Sequence, residues 1–131
     1  ITVIRADASA RAVGATINLT DGTANAPGDY NSAPITVNFA DGDVTPKVIT
    51  VPIVNDSLVE PTETVNLALS NPTGGATIGT QGTATLNIVD NDTPGTLQFS
   101  NPEFVVNEDG TPVLAVTVTR TGGSAGAVSA T

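Results

Sequence analysis

Apolar residues recur at every second position in five separate stretches, with polar or turn-forming residues between them. Ala15, Ile17 and Leu19 alternate with Thr16, Asn18 and Thr20, and Ile35, Val37 and Phe39 alternate before the turn Ala40-Asp41-Gly42-Asp43. Ile49, Val51 and Ile53 form a third set, Val65, Leu67 and Leu69 a fourth, and Ala84, Leu86 and Ile88 a fifth. A period of two puts alternate side chains on opposite faces of an extended backbone, so each set predicts a strand with one buried face. Pro52 has no amide hydrogen to give to a ladder, which predicts an irregular or edge strand for the third set. Asn71-Pro72 and Gly74-Gly75 end the fourth. Leu97 to Phe99, Phe104 to Val106 and Leu114 to Val118 predict three further strands. No stretch carries a helical period. Strands at this spacing, separated by turns, predict an all-β chain folded as an antiparallel two-sheet sandwich.

The chain also repeats itself. Residues 1–16, ITVIRADASARAVGAT, align without gaps to residues 116–131, VTVTRTGGSAGAVSAT, with nine of sixteen positions identical at an offset of 115 residues. Agreement of this kind predicts a tandem array. The phase of the match predicts that residues 1–92 are one module lacking its opening strand. Residues 93–96 are then a short linker, and residues 97–131 the opening strands of the next module. A strand of seven residues spans about 23 Å, whereas Thr93 to Thr96 reaches at most about 14 Å. Residues 97–108, with Phe99, Phe104 and Val106, are therefore predicted to exchange with another chain, giving a swapped dimer or a head-to-tail polymer. The other expected partner is the neighbouring module.

Composition narrows the chemistry. The apolar 39 % comes from Val, Ile, Leu and Ala, with three Phe and one Tyr, which suits a thin sandwich. Thirteen acidic residues against four basic ones give a net charge of −9. That balance excludes nucleic acid, whose phosphates need clustered Lys and Arg, and an anionic membrane surface. No apolar run approaches the roughly 20 residues of a membrane span, and Ile1-Thr2-Val3-Ile4-Arg5 is not a signal peptide. With no His and no Cys, the usual catalytic bases, thiol nucleophiles and zinc ligands are missing. No Ser has a His to activate it, so the expected class is not an enzyme. Gly74-Gly75 and Gly122-Gly123 precede neither a helix nor a Lys and read as turns. Tyr30 and the Phe residues read as core, and Arg5 and Arg120 as members of surface ion pairs.

The acidic residues are clustered. Asp29 precedes Tyr30; Asn55 and Asp56 end the third strand; Glu60 and Glu63 lead into the fourth; Asp90 and Asp92 end the fifth. Strand ends of one polarity share a pole of an antiparallel sandwich, so Asp56 and Asp90 are expected together, with Glu60 and Glu63 in the loop there. Carboxylates so gathered repel one another until a cation neutralises them. An all-oxygen donor set suits Ca2+, which takes six to eight oxygens.

Five ordered motifs resemble the Calx-beta repeat: Gly28-Asp29-Tyr30; Phe39-Ala40-Asp41-Gly42; Asn55-Asp56 with Glu60-Pro61-Thr62-Glu63-Thr64; Leu69-Ser70-Asn71-Pro72-Thr73-Gly74-Gly75-Ala76; and Ile88-Val89-Asp90-Asn91-Asp92. A new copy then opens with Leu97-Gln98-Phe99 and Val106-Asn107-Glu108 and continues to Arg120-Thr121-Gly122-Gly123. The resemblance implies an immunoglobulin-like sandwich with calcium at one pole, held by Asp29, Asp56, Glu60, Glu63, Asp90 and Asp92, with the Leu58 carbonyl as a further donor. Asn55 and Asn91 depart from the family pattern by keeping an oxygen and losing a charge, which lowers ion number or affinity. Glu108 corresponds to the family's early Glu ligand and serves the following module. The expected role is a calcium-stiffened spacer in an extracellular or cell-surface array, secreted by a bacterial parent; the alternatives are a regulatory calcium sensor and an adhesion module recognising protein or glycan.

Overall fold

The computed structural model describes residues 1–6, 10–110, 112 and 115–131. Leu114, where one strand was expected to start, lies outside them. Among the described residues every regular element is a strand, and the chain forms two compact units. The first comprises Ile1–Asn55 and Thr62–Val89, the second Asp56–Pro61 and Asp90–Thr131.

The first unit contains six strands: β1 (Thr2–Val3), β2 (Val13–Asp21), β3 (Ile35–Phe39), β4 (Lys47–Val48), β5 (Glu63–Thr73) and β6 (Thr83–Ile88). An antiparallel sheet runs in the order β3-β2-β5-β6, and β1 pairs separately with β4. The register sets Ile17 against Leu69, Leu19 against Leu67 and Val65 against Leu86, so the inward residues of three strands stand opposite one another. Opposed residues share a face of the sheet. Ile17, Leu19, Ala24, Tyr30, Val65 and Leu67 form the buried core. Val3, Ile49 and Val51 pack onto it from the β1–β4 side, which makes the second layer of the sandwich. Burying each Leu or Val stabilises the fold by roughly 1.5–3 kcal/mol.

Two strand expectations change in detail. The third set does not form a continuous strand: β4 covers two residues, and Ile53 meets only Tyr30 in an isolated bridge and is 46 % exposed. Pro52 explains the break, since its nitrogen cannot donate. The fourth set does not stop at Asn71-Pro72 but runs to Thr73, with Asn71 at φ 47° and the ladder to β2 shifting between Gly14 and Thr16. Asn tolerates this left-handed geometry better than most residues. Gly74 then turns the chain at φ 68°, where a Cβ would lie 2.0 Å from the Ala12 carbonyl oxygen.

In the second unit β7 (Thr96–Phe99) pairs antiparallel with β8 (Val118–Thr121). Phe104 to Val106 forms no strand, and Phe99 is 64 % exposed rather than core, with its ring edge-to-face on Phe104 at 6.2 Å. Phe39 is buried as expected.

The two repeated arginines do not form ion pairs among the described residues. Arg5 donates to the carbonyls of Ala10 (2.7 Å), Ala40 (3.2 Å) and Asp43 (3.3 Å). Arg120 donates to those of Pro94 (2.7 Å), Gly126 (3.0 Å) and Ala125. A guanidinium carries five N–H donors, so it can tie several carbonyls of one loop at once. Ala10 and Ala125 are equivalent under the 115-residue offset. The repeated Arg therefore closes the same loop in each copy.

Candidate metal centre

Tyr30 anchors the first half of the site. Its side chain is fully buried, and its hydroxyl donates to Asp21 Oδ1 at 2.7 Å. Backbone bonds on either side lock the segment, from Asn31 N to Pro52 O (3.0 Å) and from Val54 N to Asp29 O (2.9 Å). A second set of contacts ties the loop after β2 to the start of β5. Gly22 N donates to Thr64 O (3.2 Å), Thr64 N to Thr23 Oγ1 (2.9 Å), and Asn25 N to Asp29 Oδ2 (2.7 Å). Glu63 begins β5 opposite Ile88. The result is that carboxylate oxygens of Asp29 and Glu63 lie within 4.8 Å of one another. Two oxygens that each bind one calcium at 2.3–2.6 Å can be no more than about 5.2 Å apart. This pair fits a shared ion.

In the second unit, Asp90 organises the remaining acids. Its Oδ2 accepts the Glu60 amide at 2.9 Å and its Oδ1 the Asp92 amide at 3.0 Å. The Glu60 amide first, then that of Asp92, holds the Asp90 carboxyl below the usual carboxylate range, against the opposing effect of burial. Asp56 Oδ1 accepts the Leu58 amide at 2.7 Å, closing a short turn. Asn55 ends the first stretch of the first unit, and Glu108 is exposed between β7 and β8. Asp29 and Glu63 thus come together in one unit, and Glu60, Asp90 and Asp92 in the other.

Asp21 was not among the sequence candidates, yet it positions the site. It accepts both the Tyr30 hydroxyl and the Ala26 amide (3.1 Å), and these bonds hold its carboxyl below the usual range. Its signal in the sequence is faint: a carboxylate before Gly22 at the end of an alternating strand. Burial first, and then Asp21, push the Tyr30 pKa up to about 12. An unfolded Tyr ionises near pH 10, so between about pH 10 and about 12 the folded chain holds more protons than the unfolded one. Stability is fully present below that window and falls as pH rises through it. Denaturant titrations across this range should show the fall in the parent and a flatter profile in Tyr30→Phe. Equal slopes in both would place the alkaline dependence elsewhere.

A family model for the Calx-beta domain matches residues 1–92 and again residues 90–130, and the chain belongs to this family. It is 34 % identical over 125 residues to sodium/calcium exchanger 1 of Mus musculus, covering 82 % of this chain and 13 % of the exchanger. It is 37 % identical over 86 residues to adhesion G-protein coupled receptor V1 of Danio rerio, covering 65 % of this chain and 1 % of the receptor. The chain thus spans a small part of each. Among solved structures it resembles the calcium binding domain CBD12 of CALX1.1, with TM-score 0.65, 25 % identity, and coverage of 82 % of this chain and 45 % of that one. The apo-form Calx CBD1 domain matches with TM-score 0.62 and 25 % identity over 70 % of this chain and 80 % of that one. The antiparallel sandwich is the fold of the family.

Proposed function

We propose that the chain is a calcium-binding structural module, in which bound calcium stiffens the sandwich and the joint between successive copies. The observation that carries this reading is the Asp29–Glu63 pair, whose oxygens lie within 4.8 Å on segments fixed by backbone bonds. Glu60 is covalently tethered to Glu63 through Pro61 and Thr62, within about 11 Å of chain. Asp90 and Asp92 are linked to Glu60 through the Asp90 carboxylate. Asp56, Asn55 and the Leu58 carbonyl are further donors in this proposal, and Glu108 the corresponding donor of the next copy. The parent is then an extracellular or cell-surface array, in which the 115-residue repeat supplies one spacer per period.

A second reading is favoured by the 34 % identity to the exchanger: a regulatory sensor in a membrane protein. Affinity separates the two. A sensor responds in the range of about 10⁻⁷–10⁻⁵ M calcium, an extracellular spacer near 10⁻⁴–10⁻³ M.

The stiffening claim is tested by 15N relaxation on the chain with and without calcium. Metal-free, the two units should tumble with different correlation times, and on saturation these should converge. Correlation times that stay apart at saturating calcium would refute a role at the joint.

A further inference from the structure

The outer face of the four-stranded sheet carries a modification signal that the proposed metal centre does not use. Ile17 and Leu19 of β2 are buried, so Asn18 between them and Thr20 beyond point to the other side of the sheet. Asn18-Leu19-Thr20 has the Asn-x-Thr form of an N-linked glycosylation acceptor. Residues two apart on a strand share a face at a separation of roughly 6.6 Å. The Asn18 amide and the Thr20 hydroxyl are therefore presented together, and Thr20 is exposed.

The amide is aimed toward β5. Asn18 Nδ2 donates to Ser70 Oγ (2.7 Å), and Ser70 Oγ donates in turn to the Thr16 carbonyl (3.4 Å). A hydroxyl has a single hydrogen, and Ser70 uses it on Thr16, so the nitrogen of the Asn18 carboxamide, not the oxygen, must face Ser70. That nitrogen has two N–H groups. Replacing one by a sugar leaves the other for Ser70, so the modification keeps this hydrogen bond.

The space beside the amide is free of charge and bulk. The register sets Asn18 opposite Ala68, and Ala68 opposite Thr83. Ala68 offers only a methyl group. An open depression of about 490 Å³ continues from it, lined among others by Asn66, Gln81, Thr83 and Thr85. The outward positions of β2 from Thr16 to Thr20, of β5 from Thr64 to Ser70, and of β6 are Thr, Asn, Ser and Ala only. In a chain of net charge −9, this face presents hydroxyls and carboxamides with no carboxylate among them. Such groups both donate and accept, which matches the hydroxyls of a neutral sugar. The other two Asn-x-Ser/Thr matches, Asn55-Asp56-Ser57 and Asn91-Asp92-Thr93, lie in the acidic loops instead.

We propose that Asn18 is a site of N-linked glycosylation, and that the first sugar lies across Ala68 in the depression over β5 and β6. The proposal rests on the extracellular reading above, which takes the chain past sugar-transferring enzymes on export. In the transfer, Asn18 Nδ2 bonds to C1 of a sugar activated as a phosphate ester. The C1–O bond to the phosphate breaks, the phosphate leaves with the electron pair, and the amide nitrogen gives one proton to the transferase.

The test is glycopeptide mass mapping of the chain recovered from the cells that produce it. Most secreted chains should carry a saccharide at Asn18. Thr20→Val keeps the side-chain shape at an exposed position and removes the hydroxyl; it should lower occupancy at least tenfold, and Thr20→Ser should restore it. In the glycosylated chain, nuclear Overhauser effects should join the first sugar ring to the Ala68 methyl group and to Thr83. Secreted chain with Asn18 bare overturns the proposal and leaves the extracellular reading standing. Chain retained inside the cell with Asn18 bare overturns both. Occupancy that Thr20→Val leaves unchanged overturns the proposal too, since the acceptor is then not read as Asn-x-Thr. A glycosylated chain with no contact from the sugar to Ala68 or Thr83 overturns the placement over β5 and β6.

Discussion

Calcium added to the metal-free chain raises its midpoint of thermal unfolding, and the increase grows with calcium concentration. A ligand that binds only the native state adds RT ln(1 + [Ca]/Kd), about 2.7 kcal/mol at a hundredfold excess over Kd. For a chain of this size that corresponds to roughly 10 °C. Glu63→Ala removes a carboxylate that lies within 4.8 Å of the Asp29 carboxylate and should lose most of the gain. Asp90→Asn should also lose most of it. The substitution removes the charge and leaves one acceptor oxygen where Asp90 uses two, so the loss combines the missing charge with one of the two amide bonds. Glu103→Gln, at an exposed position outside the proposed ligand set, should keep the full gain. Differential scanning calorimetry with calcium and with chelator makes the comparison. Identical midpoints in the two conditions would defeat the metal reading.

The second large effect is at Leu67. It lies in β5, between β2 and β6, opposite Leu19 on one side and Ala84 on the other, and is 5 % exposed. Leu67→Ala removes buried methyl groups and leaves a cavity that the flanking strands can only partly close. The expected loss is about 2–5 kcal/mol, a large share of the 5–15 kcal/mol typical of a whole domain. Val105→Ala, at a position 82 % exposed, should change stability by no more than about 0.5 kcal/mol. Urea unfolding of the two variants tests the contrast. Equal midpoints would mean that the core has been wrongly located.

The sheet was most legible where alternation is unbroken. β2, β3, β5 and β6 each carry a clear apolar face, and their registers set those faces against one another. Legibility failed where a strand depends on its neighbours. Ile49 to Ile53 alternates, but Pro52 and the short pairing of β4 leave Ile53 in a single bridge. Phe104 to Val106 has strand composition and forms no strand, because composition alone cannot supply a pairing partner. The arginines failed for another reason: charge suggested ion pairs, whereas nearby loop carbonyls satisfy the guanidinium donors. At the candidate site, the positions of Asp29 and Glu63 at the ends of elements were readable from the pattern. The support beneath them was not. Asp21 reaches the site through Tyr30, nine residues away, and through the Ala26 amide, and nothing in the alternation of β2 names these partners.

Calorimetric titration of calcium into the chelator-stripped chain, beside the same titration of Glu63→Ala, tests the central claim most directly. The account predicts saturable binding of at least one calcium per chain and a marked loss of affinity in the variant. Heats no different from dilution up to millimolar calcium, or identical isotherms for the two proteins, would contradict it.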